Sequence, residues 1–244
     1  MIESIGIHNY GVFQNIEFFT LDSSGENTNK KLQPNVAEPS NVTAIVGSQN
    51  SGKSSLIKAI KYVKAAVLGE MDIKTALKQL HEPNKNQEES LDSNSSSFYI
   101  TINLNGERYR YEMGARSIKR DEEGQEEVVL AFEDLANITE KEEGEIIFFR
   151  VPGIEIRLNL KEEVDLSALL TSPDSFILNL AADQGSAICQ QIRAEIEKIF
   201  VIDVNTENAY LNLVASSLIG KEAMQDLEVF LSRFGLYYII ITFA

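Results

Sequence analysis

Cysteine and histidine are nearly missing from this sequence: 244 residues hold one Cys and two His. A single thiol cannot close a disulfide within the chain, which suits a reducing compartment. Cys189 lies among apolar neighbours with no histidine near it in sequence, so it reads as a buried structural thiol rather than a nucleophile. His8 and His81 stand alone, outside any metal-ligand spacing, and read as structural or surface residues. No apolar run reaches the roughly 18 residues that span a bilayer. The first residues alternate as a strand does, unlike a signal peptide. The expected location is the cytoplasm. Basic charge is scarce as well: 22 Lys and Arg against 37 Asp and Glu give a formal net charge of −15. That balance argues against nucleic-acid binding through a broadly basic surface, and leaves only a local basic patch for it. Solvated acidic loops account for the charge. The length and a hydrophobic share of 43% suit one large domain, or one domain carrying an insertion.

What is present organises itself around one stretch, Gly47-Ser48-Gln49-Asn50-Ser51-Gly52-Lys53-Ser54-Ser55. It fits the phosphate-binding pattern G-x-x-x-x-G-K-[ST] without a mismatch. Residues 41–46 read as a short buried strand entering it. Residues 54–68 read as the helix leaving it, with Leu56, Ile60, Val63 and Val67 in one apolar stripe. Gly47 and Gly52 permit the backbone angles that turn successive N–H groups inward around an anion. The helix adds its positive end at the same point. Lys53 can reach the outer phosphates, and the Ser54 hydroxyl can complete the oxygen shell of a magnesium ion. A Gly- and Ser-rich turn could match by chance, but strand, loop and helix all agree with the motif. Residues 47–55 are the candidate nucleotide-phosphate site, with Ser54 the candidate metal contact.

The remainder reads as strands followed by helices. Residues 2–9 and 12–21 are predicted strands joined by a tight turn at Asn9-Tyr10-Gly11. Residues 22–40 are polar and carry Gly25, Pro34 and Pro39, as a surface loop does. Residues 71–81 suggest a second short helix with Ile73, Leu77 and Leu80 on one side, and 82–97 a charged, polar loop. From Phe98 the period becomes two, and Asn105-Gly106 marks a hairpin turn into Tyr109, Tyr111 and Met113. Residues 128–132, 146–149 and 154–160 read as further strands between acidic turns. Arg108-Tyr109-Arg110-Tyr111 could offer stacking rings to a nucleic acid. Acidic surroundings favour the alternative, an antiparallel strand with two unlike faces. Ser172-Pro173-Asp174 opens a helical region whose stripe Ile188, Ile192, Ile196, Ile199 runs to about Phe200. Residues 208–234 are predicted helical, and 236–244 an apolar strand of a buried sheet.

Three places resemble the ABC-like AAA ATPases, a group related to the heads of SMC, RecF and OLD-family proteins. They are Ile5 to Phe13 with Ile16-Glu17-Phe18, the stretch Val46 to Ile60 around the loop, and Gly106-Glu107-Arg108-Tyr109-Arg110-Tyr111. The loop is specific for a P-loop NTPase; the other two are supportive. The resemblance implies ATP and magnesium as ligands, and hydrolysis when two heads dimerise, each offering a signature motif to the other. It also implies a possible effector protein as partner. The chain departs from the pattern in three respects. Gly11 stands where the family has an arginine near the nucleotide. No Leu-Ser-Gly-Gly-like signature follows the loop; Ser23-Ser24-Gly25-Glu26 precedes it and is read as coincidence. No Asp-Glu pair ends an apolar strand: Ile199-Phe200-Val201-Ile202-Asp203 imitates one, with Val204 in place of the glutamate. Asp203 is either a magnesium partner or the residue ending its element at a turn.

The expectation is therefore an α/β fold: an ABC-ATPase-like P-loop core whose sheet is mainly parallel, an antiparallel β lobe beside it, and a helical segment. The whole of 1–244 is read as one N-terminal head portion. Its parts are an opening hairpin at 1–21, the loop strand and helices at 41–81, the lobe at 98–160 and helices at 172–235. The signature and catalytic strand are expected beyond residue 244. The function expected is ATP binding with magnesium, incomplete for hydrolysis, with a non-hydrolysing regulatory or interaction module as the alternative. No Asn-Lys-x-Asp base reader follows the loop, which favours ATP over GTP.

Overall fold

A computed structural model describes residues 2–19, 42–45, 52–82, 94–119, 126–140, 144–162, 164–165, 175–203 and 238–242. The chain opens with β1 (Ile2–Tyr10) and β2 (Phe13–Phe19), joined by the predicted tight turn. Then come β3 (Val42–Ile45), α1 (Lys53–Val67) and α2 (Ile73–Leu80). Five strands follow: β4 (Ser95–Leu104), β5 (Glu107–Lys119), β6 (Glu126–Asn137), β7 (Glu145–Val151) and β8 (Glu155–Leu158). Helices α3 (Ile177–Asp183) and α4 (Ala187–Glu197) lead to β9 (Ile199–Asp203), and β10 is Tyr238–Thr242. The expected loop at 22–40 and helix at 208–234 lie outside the described residues.

Two sheets result. Seven strands in the order β2-β1-β4-β5-β6-β7-β8 form an antiparallel sheet, and β3-β10-β9 form a parallel one. The proportion corrects the sequence reading: among the described residues the antiparallel sheet is the larger, not the side lobe of a mainly parallel core. Its meander from β4 to β8 needs only hairpin turns, whereas parallel neighbours need long crossovers. The Asn105-Gly106 turn bears this out, with both residues at positive φ, +56° and +92°. Helices separate the sheets: α2 packs on β5 and β6, α1 on β9 and β10, and α4 touches both β4 and β9. Their apolar faces supply one core, including Leu56, Ile57, Ile60, Val63, Leu77, Leu80 and Ile192, with Ile7, Ile102 and Tyr111 facing them from the sheet. Cys189 is fully buried in that core, and burial pushes its thiol up to about 11, as expected of a structural cysteine. Tyr109 and Tyr111 are buried too, and Tyr111 meets Phe148 edge-on, so those rings are packed rather than offered for stacking.

Three element boundaries differ from the sequence reading. β4 begins at Ser95, inside the expected loop, because Asn9 reaches across to it: Asn9 Nδ2 donates to the Ser95 carbonyl and Ser96 Oγ donates to the Asn9 carbonyl. β6 continues five residues past Phe132. Its register with β5 slips between Leu130 and Phe132, leaving Ala131 as an extra residue. Such a bulge inverts the phase of the pleat, so Glu133 and Leu135 face the core and Asp134 faces out. The predicted helix to Phe200 ends instead at Glu197, and Ile199 starts β9. The run Ile199-Phe200-Val201-Ile202 is β-branched and aromatic, and pairing with β10 outweighs the continuing stripe.

On the outer face, the Tyr99 ring lies against Gly6, close enough that a Cβ on Gly6 would overlap Cε1 and Cζ. Gly6→Ala must push the ring off the strand. The expected loss is about 1–3 kcal/mol of stability, read as a lower urea midpoint. The loss should shrink when Tyr99 is first replaced by Leu.

Candidate functional site

The predicted phosphate site lies in sequence between the last strand residue of β3 and the first turn of α1. β3 ends at Ile45, and α1 begins at Lys53. Gly47, Ser48, Gln49, Asn50 and Ser51 lie outside the described residues, as does the side chain of Lys53. Gly52 is the N-cap of α1 at φ +88°, ψ 3°, a left-handed conformation that glycine adopts without a steric penalty. Its N-cap, a glycine, offers no side-chain cap, and no acidic residue occupies its first turn. A first turn without a carboxylate suits an anion at the helix start. Ser54 is exposed on that turn and Ser55 half-buried.

The β1–β2 turn closes over the same point. A Cβ built on Gly52 would stand 2.5 Å from Phe13 Cζ and 2.5 Å from Val12 Cγ2. One on Gly11, at φ +58°, would meet Ser55 Oγ at 3.4 Å. Val12 itself is 58% exposed. The turn is anchored from behind: Tyr10 is fully buried, packs edge-on against Phe98 and donates its hydroxyl to the Gln79 carbonyl at 3.1 Å. Burial, with the nearby Glu82 adding to it, raises the pKa of that hydroxyl, so it stays a donor. The Gly11 N–H donates to the Glu82 carbonyl at 2.6 Å. The start of α1 and the end of α2 therefore hold one turn between them.

The far end of α1 is fixed as well. Lys64 Nζ donates to the carbonyls of Glu197 at 2.9 Å and Ile199 at 2.6 Å. These carbonyls belong to the last residue of α4 and the first of β9, so a cation near a helix C-terminus satisfies acceptors the helix leaves open. Asp203, the last residue of β9, is in register with Thr242, and Thr242 with Ile45. Among the described residues no group of three His, Cys, Asp or Glu side chains could hold a metal by itself. His8 and His81 accordingly join no metal cluster there. Magnesium on a nucleotide needs no such cluster, since phosphates and water supply most of its oxygens.

A second ionisable centre lies away from this end. Glu133 is fully buried in β6, opposite Met113 of β5 and Arg150 of β7. Its carboxylate accepts from the Ile177 N–H at 2.7 Å, the Leu178 N–H at 3.0 Å and the Tyr111 hydroxyl at 3.2 Å. Arg150, also buried, donates to the Ser175 carbonyl at 2.6 Å. Burial lifts the Glu133 pKa to about 7, against the lowering effect of Leu178, Ile177, Arg150 and Tyr111. Two side chains of the sheet therefore hold the entry to α3. Sequence alone did not single out either, because a lone Glu in a strand carries no local signal of burial.

A family profile describing an AAA domain matches residues 4–215, from β1 to beyond β9. The chain belongs to that AAA domain family. No curated protein matches it. The AAA domain assignment agrees with a nucleotide-binding, ATPase-type role. The matched span takes in the opening hairpin, the phosphate motif and the antiparallel sheet together. A seven-stranded antiparallel sheet is not typical of a P-loop NTPase. In this AAA domain the strand that precedes the motif, β3, belongs instead to the smaller parallel sheet. Among the described residues of the AAA domain no helix is long and apolar enough to cross a membrane.

Proposed function

We propose that the chain binds ATP with magnesium through residues 47–55, as the head portion of an ABC-like AAA ATPase. The observation that carries this reading is the start of α1. A parallel strand precedes the motif, a left-handed glycine begins the helix, and its first turn carries no acidic residue. The family assignment supports it. In this reading Lys53 pairs with the outer phosphates and the loop N–H groups hold the inner ones. The exposed Ser54 hydroxyl and phosphate oxygens fit a hard, oxygen-seeking cation, and magnesium neutralises charge on the phosphates when bound. The parent ATPase would hydrolyse ATP as a head-to-head homodimer, with an effector protein as a further partner.

A second reading, binding without turnover, is favoured by Val204, which follows Asp203 where a catalytic glutamate is needed. Two measurements test the pair. Titration of a fluorescent ATP analogue with magnesium should saturate on the wild-type chain, be competed by ATP better than by GTP, and be lost in Lys53→Ala. A folded wild-type chain that binds no analogue defeats the proposal. Single-turnover assays at saturating ATP then divide the readings, since Lys53-dependent phosphate release is incompatible with a binding-only module.

A further inference from the structure

We propose that the β8 edge of the antiparallel sheet docks a second copy of this chain, whose own β8 lies antiparallel to it about a two-fold axis at Ile156. The inference does not depend on the nucleotide reading. Among the described residues β8 pairs with β7 alone and ends the sheet. Its register sets Val151, Arg150, Phe149 and Phe148 opposite Glu155, Ile156, Arg157 and Leu158. One step further along, the Asn159 N–H donates to the Ile147 carbonyl at 2.8 Å. Antiparallel pairs alternate between hydrogen-bonded and non-bonded. Arg157 and Glu155 therefore turn their backbone groups to β7, while Ile156 and Leu158 turn theirs to the open edge. Such an edge is a template for another strand.

The side chains decide which strand fits. Glu155 and Arg157 share the outer face: Arg157 Nε donates to Glu155 Oε1 at 2.5 Å, and the guanidinium lies 6.0 Å from the centre of the Phe149 ring. Ile156 lies on the other face and is 39% exposed, and Ile154, at the turn before it, is 75% exposed. When a second β8 runs antiparallel with the two Ile156 residues opposed, Glu155 faces the partner's Arg157, and Arg157 faces the partner's Glu155. These are non-bonded pairs, in which side chains stand closer and opposite charges attract. The four groups alternate in sign. On the other face the two Ile156 side chains meet, and Ile154 approaches the partner's Leu158. The Ile156 pair falls at a bonded position, so it exchanges two backbone hydrogen bonds. Charge of one sign on an edge repels a copy of itself. This edge carries one charge of each sign, spaced to match itself, as a patch shared by both subunits of a two-fold dimer must be. β8 stands five strands from β1, about 24 Å across the sheet, so the surface is separate from the turn over Gly52. The contact is short, and the dimer belongs with weak, concentration-dependent complexes.

The test is sedimentation velocity of the full chain without nucleotide, over a wide concentration range. The wild-type chain should move from monomer to dimer mass as its concentration rises. Glu155→Arg and Arg157→Glu each set like charges opposite one another, and each should need at least about 10-fold more protein to reach the same dimer fraction. Mixing the two variants puts opposite charges back at both positions and should restore the dimer. Both side chains reach solvent, so the fold should tolerate either change, which unchanged urea midpoints would confirm. Ile156→Lys, which leaves Glu155 and Arg157 in place, should also keep the chain monomeric. A wild-type chain that stays monomeric throughout overturns the inference. A dimer that the charge variants and Ile156→Lys leave unchanged also overturns it, because the contact then lies elsewhere. So does a mixture no more dimeric than its components, because the charges then do not meet across the axis.

Discussion

Gly52→Ala is expected to weaken nucleotide binding by the otherwise folded chain roughly 100-fold, by an effect on geometry rather than charge. At φ +88° a Cβ is already unfavourable, by about 1–2 kcal/mol. That Cβ would also sit 2.5 Å from both Val12 and Phe13. The turn cannot simply lift away, because Tyr10 is buried beneath it and the Gly11 N–H is bonded to Glu82. Relieving the overlap therefore displaces the start of α1, at a further cost of about 1–3 kcal/mol. A combined effect near 3 kcal/mol corresponds to roughly 100-fold weaker binding. Far-UV circular dichroism should be nearly unchanged, since the larger sheet is untouched. Truncating Val12 and Phe13 to Ala in the Gly52→Ala background separates the two causes. Partial recovery assigns the loss to overlap with the turn. Without recovery, the backbone angle alone is responsible.

Glu133→Ala should be the most destabilising single substitution in the antiparallel sheet. It removes the acceptor for two N–H groups of α3 and leaves Arg150 buried opposite an apolar side chain. Breaking such an arrangement from one side costs about 3–5 kcal/mol. Glu133→Gln tests the ionisation separately. The folded pKa, about 7, is above the ordinary 4.5, so between these values the folded chain holds the proton more tightly than the unfolded one. Stability therefore falls as pH rises from 4.5 to about 7, by at most about 3 kcal/mol from this group. Asp134, lifted to about 6 chiefly by burial, acts in the same direction in both proteins. The wild-type urea midpoint should thus rise more than that of Glu133→Gln when the pH is lowered from 8 to 5.5. Parallel pH profiles would show that Glu133 is ionised in both states throughout.

Much of the local architecture was legible in the residues. The period-two run from Phe98, the Asn105-Gly106 turn and the stripe Leu56, Ile60, Val63, Val67 all correspond to elements found. Local patterns succeed where a single period governs a whole element. They fail where a long-range contact sets the phase. The bulge at Ala131 turns Glu133 inward against any simple alternation, and pairing with β10 draws Ile199 out of a helical stripe. The phosphate motif can be read from sequence at all because it is confined to nine consecutive residues. The closure of Val12 and Phe13 over Gly52, and the bond from Lys64 to Ile199, join residues far apart in sequence. No local pattern encodes them. The expected subdivision of the chain remains a proposal of the same kind as the site.

The position of β10 between β3 and β9 has a consequence for the order in which the molecule assembles. The meander β4 to β8 joins neighbours in sequence and can form early, as local topologies do. The parallel sheet cannot, because its middle strand is made almost two hundred residues after β3. During synthesis on the ribosome, β3 and β9 have no backbone partner in that sheet among the described residues until 238–242 emerge. A nascent chain would thus carry a finished antiparallel scaffold while its phosphate loop strand still waits for a neighbour. Competence to bind a nucleotide would arrive late and all at once.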